Sequence, residues 1–271
     1  MTTASTTRQG IRLTEQGSGP AVLLLHGGGG PQTVAAFADV LADRHVYTPT
    51  HPGYGGTARP DALRTPADLA RLYVDLLDEL GLTDVTVVGN SIGGWIAAEM
   101  ALLESTAGTS AASAAGSARR RIGAIVLVDA VGIEVPGHPV ADFFALSFPE
   151  IARLSYHDPE AFRIDPDALP PEAQAQLAAN RATLAVYAAQ GMTDPGLLAR
   201  LGGIDVPALV VWGDSDGIAG PAYGRAFAAA IPGARFELLE NTGHLPQLES
   251  PQQLAAVVRA FSGVSSTAGC S

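Results

Sequence analysis

Ser91 stands in Gly89-Asn90-Ser91-Ile92-Gly93-Gly94, which follows the strand-like run Asp84-Val85-Thr86-Val87-Val88 and opens the helix-like run Trp95-Ile96-Ala97-Ala98-Glu99-Met100. A sharp strand-to-helix turn strains the backbone of such a serine and lifts its hydroxyl above the sheet, so its neighbours must be almost free of side chains. Gly89, Gly93 and Gly94 supply that space. The pattern G-x-S-x-G is weak by itself and gains its weight from the strand before it and the helix after it. Ser91 is the candidate nucleophile.

A serine hydroxyl attacks only when a base takes its proton, and that base needs a third group to fix its tautomer and stabilise its charged form. Of the six histidines, only His244 follows the last strand-like run in a turn-rich setting, Glu240-Asn241-Thr242-Gly243-His244-Leu245-Pro246. Loops beyond strand ends are where the working groups of open α/β sheets collect, so His244 is the candidate base. The acid belongs on the loop after the preceding run, Ala208–Trp212, which offers Asp214 and Asp216. Spacing does not separate the two, and either could be a turn-forming Asp bonded to its own backbone. An oxyanion needs preorganised donors. The N–H of Ile92 and the glycine run Gly27-Gly28-Gly29-Gly30 are the candidates. No Lys-Ser/Thr follows that run, which disfavours a phosphate loop, and His26 reads as a brace for it.

Short apolar runs must carry these groups: Ala21–Leu25, Val46–Thr48, Val85–Val88, Ile122–Val128, Ala208–Trp212 and Arg235–Leu239. Alternation with helical segments predicts a mostly parallel sheet covered on both faces. Pro66–Leu80 carries leucines at helical spacing and stops at Gly81, which predicts an amphipathic helix. The Ser/Ala/Gly/Thr stretch Ser105–Ser117 reads as a mobile surface loop. Residues 131–202 break the strand pattern with Ala141–Leu154 and Glu172–Ala189, separated by prolines, and predict a helical cap between core segments 1–130 and 203–271.

In the cap, Leu177, Arg181, Leu184 and Ala188 share a helical face. Arg181 either lays its stem along the core edge or pairs with a substrate carboxylate. Phe143, Phe144, Phe148 and Tyr187 are candidates to line an apolar pocket, and Trp95 could join them or belong to the core. His51, His138 and His157 have no carboxylate at a recognisable spacing and are left unassigned.

Composition narrows the function. The chain has 271 residues, 47% hydrophobic and 16% charged, and a formal net charge of −11, which opposes attraction to phosphate backbones and argues against a nucleic-acid partner. Its one basic run, Arg119-Arg120-Arg121, reads as a solvated strand entrance. No apolar run approaches the roughly 18 residues needed to cross a bilayer, and residues 1–10 lack a secretory layout, so a cytoplasmic chain is expected. The single cysteine, Cys270, has no partner for an intramolecular disulfide, and no His/Cys cluster suggests a metal. A small-molecule substrate is the expected partner; oligomeric state has no signature in the sequence.

The motifs His26-Gly27-Gly28-Gly29, His51-Pro52-Gly53-Tyr54-Gly55-Gly56, Gly89-Asn90-Ser91-Ile92-Gly93-Gly94, Trp212-Gly213-Asp214-Ser215-Asp216 and Gly243-His244-Leu245-Pro246 together resemble the α/β-hydrolase superfamily, from about Ala21 to Phe261. The resemblance implies an α/β-hydrolase fold, a triad acid at Asp216, and oxyanion donors at Gly28 and Ile92. It also implies a two-step serine hydrolysis without metal or organic cofactor. A serine at the elbow disfavours dehalogenases and epoxide hydrolases, which use a carboxylate there. The first expectation is hydrolysis of a carboxylic ester or lactone of a small, largely apolar substrate. The elbow and glycine loop are also similar to meta-cleavage product hydrolases, which cut carbon–carbon bonds, although Leu245 stands where those enzymes usually carry Trp. A perhydrolase, a lyase or a ligand-binding receptor on the same fold are the remaining alternatives.

Overall fold

The sheet grows outward from the apolar run Ala21–Leu25, here β3, in a computed structural model that describes residues 2–7, 9–111, 120–162, 164–189 and 191–265. Around it lie β1 (Thr3–Thr6), β2 (Arg12–Gly17), β4 (His45–Pro49), β5 (Val85–Asn90), β6 (Ile122–Val128), β7 (Ala208–Gly213) and β8 (Arg235–Leu239). They form one eight-stranded sheet in the order β1-β2-β4-β3-β5-β6-β7-β8. From β4 to β8 every pairing is parallel, whereas β2 pairs antiparallel with both β1 and β4. The chain passes from β3 to β4 on one side and then to β5 on the other, so the order reverses beside β3. Such a reversal opens a crevice at the carboxyl ends of the strands.

Alternation along each strand divides the core in two. Leu23, Leu25, Val87 and Leu127 pack on one face with Leu69 and Tyr73 of α2 (Pro66–Glu79) and Ile96 and Met100 of α3 (Ile92–Ala111). Val22, Leu24, Val88 and Val126 pack on the other with Phe37 of α1 (Gln32–Val40) and Leu254 and Val258 of α10 (Pro251–Ser265). Helix α2 starts at a capping box in which Thr65 and Asp68 exchange hydrogen bonds, and Gly81 follows its end with φ +64°. That cap contributes about 1 kcal/mol.

Two expectations need correction. Helix α3 runs through Ser105 to Ala111, so the start of the expected Ser105–Ser117 loop is helical; residues 112–117 lie outside the described residues. Alanine-rich sequence favours helix, and Ser105 bonds back to the Ala101 carbonyl and across to Asp205 at 2.6 Å. The basic run is also more than a solvated entrance. Arg120 forms a double hydrogen bond with Asp205, and Arg121 reaches Glu104 and Asp78. Arg119 and Cys270 lie outside the described residues.

Between β6 and β7 the chain carries α4 (Phe148–Ser155), α5 (Pro159–Phe162), α6 (Pro171–Tyr187) and α7 (Leu197–Arg200). The first of these begins only at Phe148, because Glu150 accepts hydrogen bonds from the Ser147 N–H and hydroxyl and sets the helix start there. Short helices α8 (Pro221–Ala230) and α9 (Pro246–Glu249) complete the chain. Among the described residues no helix is long and apolar enough to cross a membrane.

Candidate active site

Ser91 occupies the turn between β5 and α3 with φ +56°, a left-handed conformation that costs a non-glycine residue of order 1–3 kcal/mol. The surroundings enforce it. A Cβ on Gly89 would sit 2.1 Å from the Gly93 carbonyl oxygen, one on Gly93 2.5 Å from that of Leu25, and one on Gly94 2.5 Å from the Ala130 Cβ. The Ser91 N–H donates to the Val128 carbonyl at 2.9 Å, which fastens the turn to β6.

Register brings the glycine loop alongside. Leu25 pairs with Gly89, so the chain leaving β3 runs beside the turn leaving β5. A Cβ on Gly27 would meet Asn90 Oδ1 at 2.9 Å and the Ser91 Cβ at 3.3 Å. Behind this loop two buried histidines lie with ring centroids 3.7 Å apart and planes tilted by 35°. The His51 N–H donates to His26 Nε2, which leaves His26 Nδ1–H to donate to the Gly27 carbonyl. His51 in turn donates from Nε2 to the His26 carbonyl and accepts from the Tyr73 hydroxyl. Burial holds both rings neutral: it lowers His51 to about 4 and puts His26, which a charged His51 would also repel, well below its ordinary value. His26 thus braces the loop, and His51 shares that work. Ile92 opens α3, so its N–H has no acceptor within the helix; Gly28 is half-buried beneath Leu184 of α6.

Asp216 and His244 meet. His244 Nδ1 donates to Asp216 Oδ2 at 2.8 Å, with both residues buried. Asp216 Oδ1 accepts the N–H groups of Ile218 and Ala219 at 2.8 and 3.1 Å, which fixes the carboxylate against the turn. Asp214 faces elsewhere. It accepts from Ser215, Asn241 and Thr242, and these bonds outweigh partial burial to lower its pKa. Among the described residues no hydrogen bond joins Ser91 Oγ to His244, and the two are linked through Asn90, whose Nδ2 donates to the His244 carbonyl at 3.0 Å. Gln247 donates to Asn90 Oδ1 at 3.1 Å.

The helices after β6 hold these loops by main-chain contacts. The Ser155 carbonyl accepts the His244 N–H at 2.7 Å and the Leu154 carbonyl accepts the Gly217 N–H at 2.8 Å. On α6, buried Asn180 donates to the Gly29 carbonyl and accepts the Gly55 N–H, Thr183 donates to the Gly53 carbonyl, and the Tyr187 hydroxyl donates to the Pro52 carbonyl. Arg181 takes a different place from the substrate-facing one. Its Nη2 donates to the carbonyls of Phe143, Phe144 and Leu146 at 3.0–3.1 Å, and the guanidinium lies over the rings of Phe143 and Phe148. Half-buried Phe143 and Phe144 meet edge to face. Trp95 and Tyr187, both buried, line a cleft of about 680 Å³ together with Arg64, Thr65, Glu99 and Asp194; the three phenylalanines do not line it. His138 is exposed, and His157 bonds Ser215 at the surface.

Asn90, Asn180 and Asp129 escaped the sequence reading. Asn90 lies inside the elbow motif and Asp129 directly follows a strand, so both carried a positional signal; Asn180 carried none. One ligand atom each from Asp129, Asp216 and His244 lies within 4.8 Å of the others, a spacing that could suit a metal, but His244 Nδ1 and Asp216 Oδ2 are occupied by one another.

Comparison with known proteins places the chain in a family. An uncharacterized protein of Mycobacterium tuberculosis is 28% identical over 270 residues, covering 90% of this chain and 76% of its own. Lipase 3 of Moraxella sp. is 27% identical over 264 residues, covering 90% and 78%. The crystal structure of a serine hydrolase involved in carbazole degradation superposes with a TM-score of 0.75 at 23% identity, covering 97% of this chain and 100% of that one. The model of the alpha/beta hydrolase family matches residues 22–257, and the chain belongs to that family of enzymes.

Proposed function

We propose that this hydrolase cleaves a carboxylic ester or lactone of a small, largely apolar substrate through an acyl-enzyme on Ser91. The observation that carries the reading is the buried Asp216–His244 hydrogen bond, tied through Asn90 to a serine in a left-handed turn. His244 Nε2, the ring nitrogen not bonded to Asp216, takes the Ser91 proton as the hydroxyl attacks the substrate carbonyl. Asp216 keeps the imidazole in that tautomer and offsets its charge. The Gly28 and Ile92 amides receive the oxyanion, each such donor contributing about 3 kcal/mol at the transition state. His244 then protonates the leaving alcohol, and water activated by the same ring releases the acid. Residues 131–202 act as a cap over the loops that carry these groups. The Ser91–His244 contact forms as substrate seats, since such bonds often tighten only in the complex.

Carbon–carbon cleavage is the second reading, favoured by the asparagine before the nucleophile, as in Gly89-Asn90-Ser91. Arg181 Nη2 is already held by three carbonyls, which ties this side of the guanidinium to the protein and supports the ester reading. Labelling by a fluorophosphonate and turnover of p-nitrophenyl esters are expected in the wild type, with both lost in Ser91→Ala. Labelling without ester turnover would transfer the assignment to carbon–carbon substrates.

A further inference from the structure

Asp129 directly follows β6 and is fully buried, with φ +45°. Its Oδ1 accepts the Gly213 N–H at 2.9 Å, while its Oδ2 is buried without a hydrogen-bond partner. The titratable groups clustered with it are Asp216, from the loop after β7, and His244, from the loop after β8. An orphaned buried oxygen is expensive on an anion, and two carboxylate charges this close repel strongly where water is excluded. The two acids are not equivalent. Asp216 has its charge matched by two amides and the His244 Nδ1–H, whereas Asp129 has one amide. Burial first, and the charge of Asp216 second, push the Asp129 carboxyl well above the usual carboxylate range. A proton on Oδ2 would turn an unmet acceptor into a donor, and Asp216 Oδ2 keeps a lone pair to receive it.

We propose that Asp129 is a positioning residue that stays protonated and donates from Oδ2 to Asp216, so that the acid pair presents one negative charge to His244. This rests on the triad reading above. A second full charge would hold the imidazolium too firmly to return its proton to the leaving group. The shared proton spreads the single charge and fixes the Asp216 rotamer at the same time.

The test compares Asp129→Asn and Asp129→Ala in the full chain. The resting protein should show a protonated-carboxyl infrared band that disappears in Asp129→Asn. Because Asn keeps the acceptor for Gly213 and supplies an N–H in place of the acid proton, its kcat/KM should stay within about threefold and the acid limb of its pH profile should not move. Asp129→Ala removes the donor, leaves Asp216 more basic and should shift that limb to higher pH by about half a unit, with kcat lower by roughly tenfold. A purely structural Asp129 would lower stability without moving the limb. Absence of the band overturns the proposal. So does a limb in Asp129→Asn that moves to lower pH with a loss of about a hundredfold, the mark of a removed anion. The band is read without turnover, so if Asp129→Ala fails to fold, Asp129→Asn alone decides. Should Ser91→Ala retain activity, the triad would fall while the band still reported on the proton.

Discussion

The sheet and the helical segment between β6 and β7 serve one site by different means. The sheet delivers side chains through register: Leu25 stands level with Gly89, Asn90 with Val128 and Gly213 with Leu239, so the loops beyond them start from a common edge. The helical segment supplies none of the proposed reacting groups. It holds main chain instead, through the Leu154 and Ser155 carbonyls on one side and Asn180, Thr183 and Tyr187 on the other. The proposed chemistry therefore sits on strand ends whose position the core enforces. Fine orientation comes from a region that packs Leu184, Tyr187 and Ala188 into the core and meets the loops through polar side chains.

Removing a strand-end group should cost far more than removing a helical-segment contact. His244→Ala is expected to lower kcat by about 10⁴-fold or more with little change in KM, read with a soluble ester in the steady state. A loss under about tenfold would break the comparison at its sheet side. The buried His51 lies at the border of the two regions and predicts acid sensitivity of the fold. Its folded pKa of about 4 lies below the ordinary value near 6.5, so the unfolded chain binds the extra proton between them. Its contribution, of order 3 kcal/mol, is fully present above that window and is lost as pH falls through it. Urea midpoints measured across this range should drop, and His51→Gln should flatten the slope; an equal slope in the variant would place the effect elsewhere. Asn180→Ala should act least, lowering kcat about tenfold by loosening Gly29 and Gly55, with KM nearly unchanged. A rise in KM alone would make Asn180 a binding group and sharpen the division differently.

The inner parallel strands were legible because both their faces are buried, which writes unbroken apolar runs into the sequence. β1 and β2, mostly exposed and polar, left no such trace. The elbow glycines were legible because the turn excludes every side chain. Asp214 and Asp216 were separable only by family motif, since their difference is one of direction: one carboxylate caps a surface turn and the other points inward to His244. Arg181 misled for a related reason. Helical periodicity gives the face a residue occupies, while three carbonyls from a loop more than thirty residues earlier decide where its guanidinium goes. Asn180 was invisible because the two loops it holds lie over a hundred residues away, and its one near partner, Gln176, is an ordinary helical neighbour.

That distance along the chain has a kinetic meaning. The Asn90 bond to the His244 carbonyl spans 154 residues, and the Asn180 bond to the Gly29 carbonyl spans 151. Loop-closure entropy must be overcome before such contacts contribute, so they form after the local helices and hairpin-range pairings. The proposed working geometry is thus a late product of folding, and a chain released with only its first strands and helices complete holds an elbow serine without its proposed base beside it.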